Sequence, residues 1–403
     1  MKKSTHTLLK WAGILLVSFQ CSVVFGQSKQ EDTSSVYSSL NPLDKQTRLK
    51  NIDIIMNQFF NLRNDFENGV YTGSKFKFEQ FRLEIKGYVH EKVYFRFRHR
   101  YTSDFKPASV DKIIKGVDFA YLRFDLTKRT QLTIGKTFAD WGGIEFDLNP
   151  VLIYEYSDII EQADNFLTGV GLYHQVTPNH GLSFQVLNSR TGTFVELYDS
   201  IPTMTAAKTP MAGVVNWRGR LFNGKVNTLW SYSYFLEAQR ISNGQNIGKH
   251  YIALGNKFTS KKFDVSYDFK WSNEDLDRTG IISNTIPDNL YNYAVENCLY
   301  YSHWTRLEYR FTEGWQLCFD GFIDFADWLN DLDPMKTENR IRTSYGFIPT
   351  IEYFPWEDLN FKFFFGYVGR VYDYSDYATS RFGAQDGNTG RIILGFMSPL
   401  QVL

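Results

Sequence analysis

Arginine occupies every second position in Arg96-Phe97-Arg98-His99-Arg100, and the preceding Val93, Phe95 and Phe97 alternate with it. Alternate residues of an extended strand share a face, so Arg96, Arg98 and Arg100 form one cationic row. Arg82, Glu84 and Lys86 repeat the pattern, as do Arg123 with Asp125, and Arg306 and Arg310 on either side of Glu308. A row of arginines is costly against hydrocarbon and must face water. There it would set a positive potential that favours anions. The competing reading pairs these cations with Glu84, Asp125 and other carboxylates as a wall network without net selectivity.

The segment 139–167 carries the opposite charge. It holds seven carboxylates, Asp140, Glu145, Asp147, Glu155, Asp158, Glu161 and Asp164, and no Lys or Arg. It also holds Trp141, Phe146, Leu148, Leu152, Ile153, Tyr154 and Ile160, too many apolar groups for a free surface loop. A long loop with a core of its own is usually functional. The expectation is that it folds inward and narrows an opening, with Asp140, Trp141, Glu145, Asp147, Glu155, Asp158 and Glu161 at the constriction. Its carboxylates would then face the wall arginines and create a transverse field. The alternative is an external loop packed on its neighbours. Ser157-Asp158 ahead of Ile159-Ile160-Glu161 reads as a helix start. The carboxylate spacing matches no compact calcium loop, so no metal or other cofactor is expected.

Catalytic chemistry finds no support. Ser302 and His303 are adjacent, and successive strand residues point to opposite faces, so they cannot act as nucleophile and base. No HExxH, CxxC, Walker or G-x-S-x-G pattern occurs.

The elements that would position these groups alternate with period two. Phe263-Asp264-Val265-Ser266-Tyr267-Asp268-Phe269-Lys270-Trp271 is apolar at every odd position and polar at every even one. The whole chain reads as sixteen strands, near 51–62, 75–89, 92–104, 116–126, 130–138, 168–176, 181–189, 210–220, 225–236, 249–259, 262–272, 297–311, 315–326, 341–354, 359–372 and 389–400. Short turns alternate with long loops at 139–167, 190–209, 237–248, 273–296, 327–340 and 373–388. The fold class is all-β: a sixteen-stranded antiparallel transmembrane β-barrel with short periplasmic turns and long extracellular loops. Closure removes the unpaired edges that lipid would punish. Trp315, Trp356, Phe311 and Phe354 fall at the short-turn ends and Trp271 and Trp328 at the long-loop ends, as two interfacial girdles. A lumen of this size holds water. Arg82, Lys86, Arg96, Arg98, Arg100, Arg123, Arg306 and Arg310 are the expected lining.

Composition agrees by exclusion. The chain has 403 residues, 44 basic and 44 acidic, which argues against nucleic acid as a partner. Aromatics make up 17%. Mean hydropathy is −0.33, too low for a bundle of membrane helices. Lys2, Lys3 and Lys10 with the apolar run Trp11 to Phe19 form a signal peptide, residues 1–26, cut after Gly26. Residues 27–50 are a polar, flexible periplasmic lead-in, and 51–403 form the barrel. Cys298 and Cys318 lie near opposite ends of neighbouring strands, so two free thiols are expected.

A family resemblance follows. Phe81-Arg82-Leu83-Glu84-Ile85-Lys86-Gly87 with Val93-Tyr94-Phe95-Arg96-Phe97 resembles the early hairpin of the phosphate-selective porin O and P family. Asp118-Phe119-Ala120-Tyr121-Leu122-Arg123-Phe124 with Leu132-Thr133-Ile134-Gly135-Lys136 resembles its next hairpin, which leads into the pore-constricting third loop. The resemblance implies a sixteen-stranded trimeric porin in the outer membrane of a Gram-negative bacterium, embedded in lipid and passing small hydrophilic solutes or anions. Phosphate-selective members line the constriction with lysines and arginines. Here the matching loop is acidic, so phosphate selectivity does not carry over. The chain also ends Pro399-Leu400-Gln401-Val402-Leu403, without the terminal aromatic common in barrels. The alternative function is a structural, assembly or adhesion barrel whose long loops bind partners.

Overall fold

The computed structural model describes residues 50–329 and 333–403. The signal peptide and nearly all of the lead-in lie outside the described residues. Sixteen strands pair antiparallel with their neighbours in sequence, and the last pairs with the first, so the sheet closes. In chain order they are β1 (Lys50–Glu67), β2 (Val70–His90), β3 (Val93–Arg100), β4 (Val117–Asp125), β5 (Thr130–Phe138), β6 (Phe166–Thr177), β7 (His180–Asn188), β9 (Met211–Leu221), β10 (Val226–Arg240), β11 (Asn246–Thr259), β12 (Phe263–Leu276), β13 (Glu296–Thr312), β14 (Trp315–Trp328), β15 (Arg340–Tyr353), β16 (Lys362–Tyr374) and β17 (Gly387–Gln401). The seventeenth, β8 (Met204–Ala206), lies within a loop and pairs with the end of β10.

Alternation decides which face is which. Along β12 the even residues Asp264 to Glu274 are buried inside, while Phe263 and Tyr267 are exposed outside. Leu122, Ile134, Phe184, Leu317, Phe347 and Leu394 belong to the exposed apolar outer surface. Ser302 is buried inward, and His303 on the other face bonds Tyr267. Cys298 and Cys318 are free and buried, opposite Trp328 and Glu308 respectively.

Two connections differ from the sequence reading. The strands expected at 51–62 and 75–89 extend to a two-residue turn, Asn68-Gly69, with φ of 49° and 78°. Left-handed conformation at both residues is what a tight hairpin matching strand twist requires, and Asn-Gly supplies it. The loop expected at 237–248 shrinks to 241–245, because β10 and β11 continue pairing to Gln239 and Asn246.

One girdle residue also moves. Trp315, Trp356 and Phe311 are exposed, but Trp328 is fully buried inside. Its even position on β14 points it inward, where it packs near Tyr291 and Phe382 and donates its indole N–H to the Glu296 carbonyl.

The interior is not uniformly wet. Trp304, Phe322, Ile348, Phe364, Ile393 and Met397 point inward from β13–β17 and pack against Ile144, Val151 and Tyr154 of the segment 139–165. Higher up, Ile159 and Ile160 join Ile281, Ile282, Tyr377 and Phe382, contributed by helices in the loops 277–295 and 375–386. The expectation of a wide, water-filled lumen is therefore corrected: side chains and the segment 139–165 take up most of this half of the barrel.

Candidate functional site

A cavity of about 1140 Å³ lies along β2–β5. Asp358, Asn360 and Gln401 border it at the short-turn end, and Ser103, Thr191 and Glu196 at the long-loop end. It therefore runs the length of the wall. Its polar side carries five of the eight cations singled out from the sequence: Arg82, Lys86, Arg96, Arg98 and Arg100.

These arginines are undercompensated. Arg96 Nε donates to Glu84 at 2.8 Å, and Arg98 Nε donates to Asp118 at 3.0 Å. Arg82 and Arg100 approach the same Asp118 at 3.3 and 3.9 Å. Four guanidinium groups thus share two carboxylates. Arg82 is only 3% exposed, and its Nη1, like Arg100 Nε, is shut off from solvent beside Asp118 without completing a hydrogen bond, whereas the Arg96 and Arg100 side chains keep part of their surface open. Arg96 and Arg98 both lie over the Phe119 ring, at 4.2 and 4.1 Å from its centroid. A ring face against a guanidinium holds its plane without consuming its N–H donors. Lys86 and a further cation, Lys136, are matched by Asp53 and Asp111.

Asp118 enters this cluster through a bulge. Arg98 pairs with Phe119 but His99 pairs with Val117, so β4 carries one extra residue at Asp118. Bulges re-aim side chains in this way. Simple alternation places Asp118 and Phe119 on opposite faces, so the sequence reading missed both.

The other three singled-out cations lie elsewhere. Arg306 is bound to Asp320 and donates to the Leu152 carbonyl beneath the loop. Arg123 pairs with Asp125 and lies over Tyr94. Arg310 pairs with Asp264 towards the short-turn rim, with its side chain 47% exposed.

The segment 139–165 lies inside the barrel, anchored by its carboxylates. Asp140 and Asp147 bind Arg218 of β9. Glu145 binds Lys270 of β12, both fully buried, and accepts from Ser157. Glu155 binds Arg370 and Arg391, and Asp158 binds Arg342 and Arg370. Asp164 binds Arg278. The carboxylate of Asp268 accepts the backbone N–H groups of Ile144 and Glu145 at 2.9 and 2.8 Å, where the short helix α1 (Ile144–Asp147) begins. The expected helix start at Ser157 is real, as α2 (Asp158–Glu161), but the Ser157 hydroxyl bonds Glu145 instead of capping it. Wall arginines far along the chain were invisible as partners, because alternation gives a face and not a neighbour.

Most loop carboxylates therefore do not oppose the arginine row as free charges. Asp147 and Asp164 border the cavity but are held by Arg218 and Arg278. Glu161 is the exception: it makes no ion pair among the described residues and borders the cavity. Burial, then the neighbouring Glu155 carboxylate, raise its pKa above the ordinary carboxylate value. Glu161, Tyr156 and Gln80 border both this cavity and a second one of about 420 Å³ beside Arg342, Arg370 and Arg391, so they mark the neck between the two. Burial raises the Tyr156 phenol, and the charges of Arg82 and Arg98 oppose that rise. At the outer mouth, hydrogen bonds from Ser109 and Thr193 hold Glu196 down to about 2. Trp141 is buried against Tyr251 and lines neither cavity. Among the described residues no group of three or more His, Cys, Asp or Glu is placed to hold a metal ion.

Comparison with known proteins bears on what this cavity does. No curated protein matches the chain at a significant level. Solved structures share its fold. The outer-membrane channel DcaP of Acinetobacter baumannii has a TM-score of 0.57 at 11% identity, covering 86% of this chain and 97% of that one. An anion-selective porin from Comamonas acidovorans has 0.55 at 9%, covering 86% and 99%. OmpT of Vibrio cholerae in its trimer form has 0.50 at 8%, covering 86% and 99%. In sequence, the family described as phosphate-selective porin O and P matches residues 52–396. The chain belongs to that family and, as a closed barrel of it, is an outer-membrane channel of a Gram-negative bacterium for passive diffusion.

Proposed function

We propose that small hydrophilic solutes cross along the β2–β5 wall, that anions are preferred among them, and that the segment 139–165 is the constriction. The supporting observation is the row Arg82, Arg96, Arg98 and Arg100, whose four charges meet two carboxylates among the described residues, Glu84 and Asp118. Net positive charge beside a narrow aqueous path raises the local concentration of anions. In the same reading the short turns are periplasmic, the long loops extracellular, and the chain works as a homotrimer in lipid after removal of residues 1–26. The trimer form of the Vibrio cholerae protein, of the same fold, is consistent with that assembly.

Reconstitution into planar bilayers tests this. Conductance steps are expected, with a reversal potential on the anion side under a salt gradient. The triple variant Arg96→Ala/Arg98→Ala/Arg100→Ala is expected to lose the preference; an unchanged reversal potential removes the arginine row from the mechanism. Absence of steps would sink the channel reading itself.

A further inference from the structure

The two walls of the main cavity differ in chemistry. On one side stand the guanidinium groups, Arg96 and Arg100 partly exposed to the space and Arg82 and Arg98 buried behind them beside Asp118. On the other stand Phe146, Leu148 and Pro150 of the anchored loop, half-buried and bordering the same space. Asp147, between the first two, is bound by Arg218. The loop is held behind them by Asp268, which accepts the Ile144 backbone N–H, and by Asn57, whose side-chain oxygen accepts from the Asn149 side-chain amide at 3.0 Å. A fully hydrated inorganic anion gains nothing from such an apolar wall. An anion with an oxyanion head and a compact hydrocarbon body gains on both sides.

We propose that this cavity is a selective site for organic carboxylates with an apolar body, aryl carboxylates being the type. The carboxylate accepts from the cavity-facing N–H groups of Arg96 and Arg100, whose side chains are the partly exposed ones of the row. The body lies against Phe146, Leu148 and Pro150. Planar bidentate recognition of a carboxylate suits guanidinium groups, and two rigidly stacked ones, Arg96 and Arg98, keep the row in register. The site rests on the anion-preferring reading above and narrows it to a solute class.

The experiment uses the full channel in planar bilayers and measures reversal potentials in three steps. Potassium against chloride comes first: absence of anion preference overturns the arginine-row reading and the site with it. Benzoate against phosphate comes second. Benzoate is expected to be roughly fourfold more permeant, the factor one buried methylene-sized contact supplies. Anion preference with benzoate no more permeant than phosphate overturns the site alone. Third, Phe146→Asn and Leu148→Asn are each expected to bring the benzoate-to-phosphate ratio down towards one. A ratio unchanged in both variants removes the loop wall from the proposal, even where wild-type channels favour benzoate.

Discussion

Two halves of one barrel wall use arginine in opposite ways. On β9 and β12–β17, buried or half-buried cations meet carboxylates of the segment 139–165: Arg218 with Asp140, Lys270 with Glu145, Arg370 with Asp158 and Arg391 with Glu155. Those charges cancel, and apolar side chains close over the rest. On β2 and β3, four arginines have two carboxylates between them and face an open cavity. The contrast teaches that residue type does not decide between anchoring and conduction. The local count of counter-charges does.

The largest effect should come from breaking the matched half. Lys270→Met leaves the fully buried Glu145 without its cation, a change expected to cost about 3–5 kcal/mol. The loop should detach, with a lower thermal transition and a larger single-channel conductance. Adding Glu145→Gln should restore much of both. Unchanged conductance in the single variant would mean that the loop does not govern the opening.

Charge removal on the open half should move selectivity instead. Arg98→Ala is expected to lower the chloride-to-potassium permeability ratio up to about tenfold, because a unit charge some 6 Å from an ion in water favours chloride by about 0.7 kcal/mol and disfavours potassium by the same amount. The paired replacement Arg306→Met/Asp320→Asn, beneath the loop, should leave that ratio where it is. Equal shifts in the two variants would erase the distinction between the walls.

A smaller effect follows from pH. Glu161 is the loop carboxylate without a cation, and its pKa is raised. As pH falls it takes up a proton before an ordinary carboxylate does, the neck loses a negative charge, and anion preference should rise. Glu161→Gln should show the raised preference at neutral pH and no step. The smallest change is Arg310→Ala at the rim: its exposed pair with Asp264 is worth about 1 kcal/mol or less, and selectivity should not respond.

The sequence made the architecture legible because period two survives burial from either side. Sixteen strands and the row Arg96, Arg98, Arg100 follow from it, while the inward-folded segment follows from the apolar groups it carries between two strands. Two features escaped for physical reasons. Asp118 depends on a bulge, which breaks the alternation used to read faces. The dry half depends on inward aromatics such as Trp304 and Phe322, and alternation alone cannot say whether such a residue meets water or a folded loop. The Asn68-Gly69 hairpin, by contrast, carries its signal in the turn itself, since Asn-Gly between alternating strands favours a two-residue loop.

The anchoring of the segment 139–165 also sets an order of events in time. Its partners lie 125 residues away at Lys270, 215 at Arg370 and 236 at Arg391. Contacts of such separation form late, because the intervening chain must be organised first. The segment is thus made early and seated last, when β15–β17 arrive and β17 meets β1. Until then the nascent barrel has no constriction, and a chain stalled before its final strands would be both unclosed and unfiltered. Seating of this one segment therefore doubles as a mark of finished assembly.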